Sequence, residues 1–213
     1  MTALEWDKVG ERRFETGVDR GVLFAPDGSA VVWNGLTEVT ESRGREVKSF
    51  YLDGIKFLDH VVLGSFSGKI KAYTYPEELE ELMGNLEFAP GVVAHDQRAS
   101  MFNLTYRTLV GNDLEGTELG YKIHILYNLI ASASDVAFTS IGASVSPQVF
   151  EWTISGTPPT MFGIRPTAHI SIDSRRVSPE TLASIEAFLY GTVDDDPALP
   201  DVVELLALAE VSS

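Results

Sequence analysis

Acidic side chains are the residues of this sequence best equipped for chemistry, because two carboxylates set across a glycosidic bond can divide acid and base work. Glu77, Glu78, Glu80 and Glu81 crowd one short segment, and Asp194, Asp195 and Asp196 form a run that could offer oxygens to calcium. Neither spacing suits its chemistry. The four glutamates ride a short helical pattern whose other side carries Leu79, Leu82 and Met83, so they read as a solvated face. The aspartate run lacks the alternating oxygen ligands and the glycine of a calcium loop. The histidines His60, His95, His124 and His169 are scattered singly, with no short-spaced pair of the zinc-binding kind. His124 and His169 fall on the polar phase of predicted strands and read as solvated strand residues. Gly64-Ser65-Phe66-Ser67-Gly68 has the outline of a nucleophile elbow but carries Phe66 where the serine belongs. There is no phosphate-cradling glycine loop and no dinucleotide fingerprint. Trp6, Trp33 and Trp152 could stack on sugars, yet Phe150, Trp152 and Ile154 share one face of a strand pattern and read as core. The expectation is a protein that is not an enzyme, with no catalytic residue, no bound metal and no cofactor.

What remains is a surface for contact. From Arg107 to Lys122 the sequence runs RTLVGNDLEGTELGYK, an acidic, glycine-punctuated loop between two alternating segments. Before it, Phe102, Leu104 and Tyr106 oppose Asn103, Thr105 and Arg107; after it, Tyr121, Ile123, Ile125 and Tyr127 oppose Lys122, His124 and Asn128. A period of two marks half-buried strands, since successive side chains leave opposite faces of the backbone. Asn112, Asp113, Glu115, Gly116 and Glu118 are therefore candidate residues of an intersubunit loop.

The elements around this loop are mostly short strands. Candidates cover Gly21–Phe24, Ala30–Trp33, Leu36–Glu41, Val47–Leu52, Val61–Phe66, Lys69–Tyr75, Ser100–Leu109, Tyr121–Ile130, Val149–Ser155 and Ala168–Asp173. Gly, Pro and Asp divide them, the punctuation of an all-β sandwich or barrel. Ser42-Arg43-Gly44-Arg45-Glu46 reads as a charged hairpin tip, with Gly44 free to take positive φ. Ser178-Pro179-Glu180 caps a helix with Leu182, Ile185 and Leu189 in one stripe, and Gly191 stops it. Pro76–Met83 reads as a shorter helix. Residues 1–20 read as an extended N-terminal arm on a body of 1–191, and Thr192–Pro200 opens an acidic C-terminal arm over 192–213.

The 213 residues suffice for one good core, and 44% hydrophobic with 22% charged residues is ordinary globular material. No run is apolar enough to cross a bilayer, so no membrane contact is expected. The first fifteen residues are charged, without the apolar stretch of a secretory signal, which points to folding in a cytoplasm. The absence of cysteine leaves burial and pairing to hold the fold. Sixteen basic against thirty-one acidic residues give a formal charge of −15. Setting aside Asp194, Asp195, Asp196, Asp201, Glu204 and Glu210 of the tail takes it to −9, so the body is acidic in its own right. Such a surface repels phosphate backbones.

Several segments, in order along nearly the whole chain, resemble the major tail protein (tail tube protein) of siphophages infecting Gram-positive bacteria. They are LEWDKVGERRFETGVDRGVL (Leu4–Leu23), WNGLTEVTES (Trp33–Ser42), IKAYTYPEEL (Ile70–Leu79), FAPGV (Phe88–Val92), YRTLVGNDLEGTELGYKIHILYN (Tyr106–Asn128), RPTAHISIDS (Arg165–Ser174) and AFLYG (Ala187–Gly191). The resemblance implies two packed antiparallel β-sheets with a flanking α-helix, the tail-tube fold. It implies a structural virion protein that polymerises as stacked hexameric rings into the tail tube, assembled in the host cytoplasm. Its implied partners are copies of itself, a tape measure protein, and tail terminator and distal tail proteins. Phage DNA would pass through transiently without specific binding. Arg43, Gly44 and Arg45 then become candidate ring-stacking residues. Two other classes compete: a β-sandwich binding module, such as a capsid decoration or carbohydrate-binding protein, and an acid-dependent hydrolase.

Overall fold

The computed structural model describes residues 5–138, 140, 147–161 and 164–210. It is mainly β, as the sequence predicts. Ten strands occur among these residues: β1 Phe14–Phe24, β2 Ala30–Trp33, β3 Leu36–Leu52, β4 Ile55–Ala72, β5 Leu86–Ala89, β6 Val92–Ala94, β7 Phe102–Asn112, β8 Gly116–Ala133, β9 Phe150–Gly156 and β10 His169–Asp173. Three helices accompany them: α1 Glu78–Leu82, α2 Pro179–Tyr190 and α3 Val202–Glu210. None is long and apolar enough to cross a membrane.

The strands of the main sheet are hydrogen-bonded in the order β2-β1-β7-β8-β9-β4-β3, all antiparallel, while β10 adds to β8 and β5 pairs with β6 apart. The sheet curls so that its two ends face each other across a core. Leu23, Trp33, Ile70, Leu104, Leu126, Leu129, Trp152 and Ile154 fill the space between them, with Leu79 and Leu82 of α1 at one end. Trp33 and Trp152 meet edge to face at 5.4 Å between centroids, and Trp152 takes the core role expected of it. On the opposite face of β1 and β8, Val22, Phe24, Ile123, Ile125 and Tyr127 are covered by Ile185, Leu189 and Leu205. The result is a sandwich-like β domain with a helical layer outside it.

One bulge lets β8 serve both layers. Asn128 takes φ 48°, and the register moves from Leu104↔Leu126 to Phe102↔Leu129, so three residues of β8 span two of β7. Leu126 and Leu129 therefore both enter the inner core, while Tyr127 faces the helices. The Asn128 N–H donates to Asn103 Oδ1 at 2.8 Å, which holds the extra residue in place.

Helix α2 begins where the sequence places it. Ser178 Oγ accepts from the Thr181 N–H at 3.1 Å, Pro179 sits in the first turn, and Gly191 ends the helix at φ 75°. Both end segments contain regular structure. The arm set at 1–20 enters the sheet at Phe14, which pairs with Gly111, because polar pairs substitute for apolar burial there: Arg107 grips Asp19 in a two-pronged bond and Thr108 donates to Glu15. At the other end, the tail forms α3 beyond Pro200. Asp201 and Glu204 cap each other's backbone N–H at 2.8 Å, and Leu205 and Leu208 pack on the outer core. Tyr127 donates its hydroxyl hydrogen to the Pro200 carbonyl at 3.0 Å.

Candidate functional site

The candidate stacking residues lie elsewhere than a hairpin tip. Arg43, Gly44 and Arg45 belong to the middle of β3, and the side chains of Arg43 and Arg45 lie outside the described residues. The two strands predicted before and after them are one continuous strand, paired with an equally continuous β4 from Leu36↔Ala72 to Leu52↔Ile55. Gly44 does not take positive φ, and the tight approach at this point is felt by the residue opposite it. A Cβ on its neighbour across the pair, Gly64, would stand 2.8 Å from the Gly44 carbonyl oxygen. The register also slips at this point, from Arg43↔Phe66 to Arg45↔Leu63.

The tip is Asp53-Gly54, with φ 50° and 79°. Two successive residues with positive φ match the two-residue turn whose twist fits antiparallel strands, and Asp-Gly between alternating apolar residues is its usual sequence signal. That signal stands plainly in Tyr51-Leu52-Asp53-Gly54-Ile55-Lys56, where the charged, glycine-containing stretch at 42–46 outweighs it on sequence alone.

The hairpin divides in two. Its root, with Val39, Phe66, Ile70 and Ala72, belongs to the inner core. Its outer half leaves the body, and Val47, Phe50, Tyr51, Leu52, Ile55, Phe57, Leu58 and Val61 are all exposed, from 44% to 73%. Arg45, Lys48 and Lys56 balance Glu46, Asp53 and Asp59 over residues 45–63, so this ribbon is formally neutral on a chain of charge −15. A free two-stranded ribbon is marginal in water, and an exposed apolar one seeks a covering surface.

The acidic loop at 112–118 is a tight β7–β8 connection, with Asn112 paired to Gly116. Asn112 is buried: its Oδ1 accepts from the N–H groups of Leu114 and Glu115, at 3.1 and 2.6 Å, and its Nδ2 donates to Gly10 O at 3.2 Å. Asp113 Oδ1 accepts from the Gly10 N–H at 2.9 Å. Two of the five candidate residues thus tie down the N-terminal segment, while Glu115, Gly116 and Glu118 are exposed together with Leu114.

The structure departs furthest from the sequence reading at the histidines. His124 and His169 are buried, not solvated, and they meet Glu41. The polar phase of β8 is not a wet face here, because β3 folds over it as the helices cover the other. His124 Nδ1 lies 3.0 Å from His169 Nε2 and 3.3 Å from Glu41 Oε1, and His169 Nδ1 lies 3.2 Å from Glu41 Oε2. The Tyr106 hydroxyl donates to Glu41 Oε1, and its ring stacks on His124 at 4.7 Å. Burial alone would raise the Glu41 pKa; hydrogen bonds from His124 and Tyr106 and the charge of the two imidazoles overturn that and bring it to about 2. His124 Nε2 meets Thr108 Oγ1 at 3.0 Å, and Thr108 donates to Glu15, which Lys122 also holds. A cleft of about 400 Å³, lined by Glu15, Glu41, Tyr106, Thr108 and His124 among others, opens beside the group.

No protein-family model matches the chain, and no curated protein does. Among solved structures it is similar to a chain of the sheath–tube complex of the PVC extracellular contractile injection system in its extended state. The TM-score is 0.41 at 14% identity, covering 72% of this chain and 88% of that one. A chain of the sheath/tube terminator of the same system also gives 0.41, at 12% identity over 80% and 99%. A chain of the anti-feeding prophage baseplate gives 0.34, at 12% identity over 79% and 97%. Likeness at these scores assigns neither a family nor a function.

Proposed function

We propose that this chain is a structural tail-tube protein, of the siphophage kind, whose copies join into hexameric rings that stack as a conduit for the genome. The observation that carries the reading is the neutral, apolar outer half of the β3–β4 hairpin, an element with no core of its own. The sequence resemblance to major tail proteins supports it independently. The ends of the main sheet are β2 and β3, each with one edge outside its hydrogen-bonding order. Joining such edges between copies into a closed barrel removes main-chain groups that would otherwise invite uncontrolled pairing. The ribbon then reaches axially to the next ring, in place of the stretch at 43–45. In this reading the tape measure, terminator and distal tail proteins meet the tube at its lumen and ends, and no catalysis is involved.

Negative-stain electron microscopy of the concentrated protein tests the proposal directly. Six-fold rings or regular tubes are the expected result. A protein that sediments as a monomer at high concentration, and is missing from purified virion tails by mass spectrometry, defeats it.

The charge yields a second expectation. DNA carries about one charge per 1.7 Å, so even a few inward lysines per ring would add up to strong retention along a tube. A chain of charge −15 leaves repulsion, screened beyond roughly 8–10 Å at ordinary salt. Assembled tubes are expected not to retain duplex DNA at physiological salt; salt-sensitive retention in a filter assay would contradict the acidic-lumen argument.

A further inference from the structure

Stacking in one direction needs two different surfaces, one that reaches and one that receives, because a surface that pairs with its own copy closes the assembly after one contact. The β3–β4 ribbon is the reaching surface. Its receiver must lie at the other end of the body, expose apolar residues and accept the ribbon's charge. Strand register locates that end. Phe66 of β4 stands in one row with Gly156, Leu129 and Phe102 across β9, β8 and β7. The Asp53-Gly54 tip lies to one side of this row and Ala72 to the other. The chain leaving Ala72 forms α1, β5 and β6 and then returns to begin β7 at Phe102, so β5–β6 stands at the end away from the tip.

We propose that the β5–β6 hairpin of one copy receives the apolar ribbon of a second copy, an inference that rests on the tube reading and names the partner of its ribbon. β5 and β6 form a sheet of their own, joined to no other described strand. Leu86, Phe88, Val92 and Val93 on it are exposed, from 42% to 66%. The surface is held ready. The Gln97 N–H donates to Gly84 O and the Ser100 N–H to Leu82 O, both at 2.8 Å, and His95 Nδ1 lies 2.9 Å from Asn85 Oδ1. Leu79 and Leu82 anchor the preceding α1 in the inner core, so little ordering is left to offset binding. Charge selects the ribbon as occupant. Residues 76–98 carry Glu77, Glu78, Glu80, Glu81, Glu87 and Asp96 against Arg98, a formal −5, so two such ends repel each other. The ribbon is formally neutral over 45–63 and approaches this end without that repulsion. Its reach suffices, since Val47–Leu52 extends roughly 20 Å at about 3.3 Å per residue, longer than the four residues of β5.

The chain has no cysteine, so introduced cysteines report the contact directly. Full-length protein carrying Ile55→Cys, in the ribbon, is mixed at high concentration under oxidising conditions with protein carrying Val92→Cys, in the hairpin. Disulfides between the two variants are expected to outnumber those within either. Leu114→Cys, exposed at the tip-side end of the sheet, should not replace Val92→Cys as the partner. Leu86→Ser combined with Phe88→Ser, at exposed positions, should leave rings intact and weaken stacking by about 100-fold or more. Rings of that double variant, mixed with rings whose Lys48–His60 is replaced by Asp-Gly, should give double rings and nothing longer, because one ribbon surface and one receiving surface remain per pair. Normal tubes from the double variant overturn the proposal and leave the tube reading intact, as does absence of the mixed disulfide from assembled tubes. If the unaltered protein builds no tubes, the tube reading fails by itself and the mixed disulfide decides the contact: its formation upholds the pairing of ribbon and hairpin, and its absence overturns it.

Discussion

Replacing Lys48–His60 by a two-residue Asp-Gly turn is expected to leave a folded monomer and abolish tubes. The residues removed contribute nothing to the inner core, whose hairpin members stop at Val39 on one strand and Phe66 on the other. Circular dichroism and Tm should therefore stay close to those of the full chain. Assembly should not. Burying one Leu-, Ile- or Phe-sized side chain is worth about 1.5–3 kcal/mol, so each such side chain taken out of the stacking surface weakens association roughly 10–100-fold. The deletion removes six of the eight exposed apolar residues of the ribbon, from Phe50 to Leu58. Normal tubes from the shortened protein would show that the ribbon is not the stacking element.

Gly68→Ala should be a strongly damaging methyl addition to the centre of the sheet. Gly68 lies in β4 between Glu41 of β3 and Ile154 of β9. A Cβ there would stand 2.3 Å from the Thr40 carbonyl oxygen and 3.4 Å from the Ile154 side chain. The nearer neighbour is backbone held in a ladder, so the strand itself must move. The expected cost is about 3 kcal/mol, or roughly 6–12 °C in Tm for a domain of this size. Gly91→Ala is the contrast. It has open space but φ 74°, and the left-handed conformation alone costs about 1–2 kcal/mol. Equal melting temperatures for the two variants would refute the steric account of Gly68.

Local rules make much of the fold legible. The alternation in β7 and β8 and the Ser178-Pro179 start of α2 are each decided by residues close in sequence, and each stands where those residues put it. Legibility fails where one local signal masks another. Ser42 to Glu46 looks like a turn because it is charged and contains glycine; in the structure its glycine faces a second glycine across the ladder. The capping pair Asp201 and Glu204 and the Pro90-Gly91 turn between β5 and β6 are readable signals, overshadowed by acidity and by the shortness of the segments. The Glu41–His124–His169 group is of another kind. Nothing within reach of any one of these residues in sequence announces the other two. They meet because the sheet curls, and a polar strand face on a curled sheet can be an interior.

The order of strands along the chain also sets a timetable for folding. The β3–β4 hairpin is complete in itself by Ala72, and closing a hairpin takes about 1–10 μs. Its neighbour β9 begins only at Phe150, and β1 waits for β7, the Asp19–Arg107 bond spanning 88 residues. At about 5–20 residues per second, a ribosome takes several seconds to deliver those partners. For that interval the nascent chain displays a finished apolar ribbon on an unfinished body. Ribbons of neighbouring nascent chains are therefore ready to meet before any subunit is complete, and a chaperone that holds Phe50 to Leu58 during synthesis would raise the yield of separate subunits.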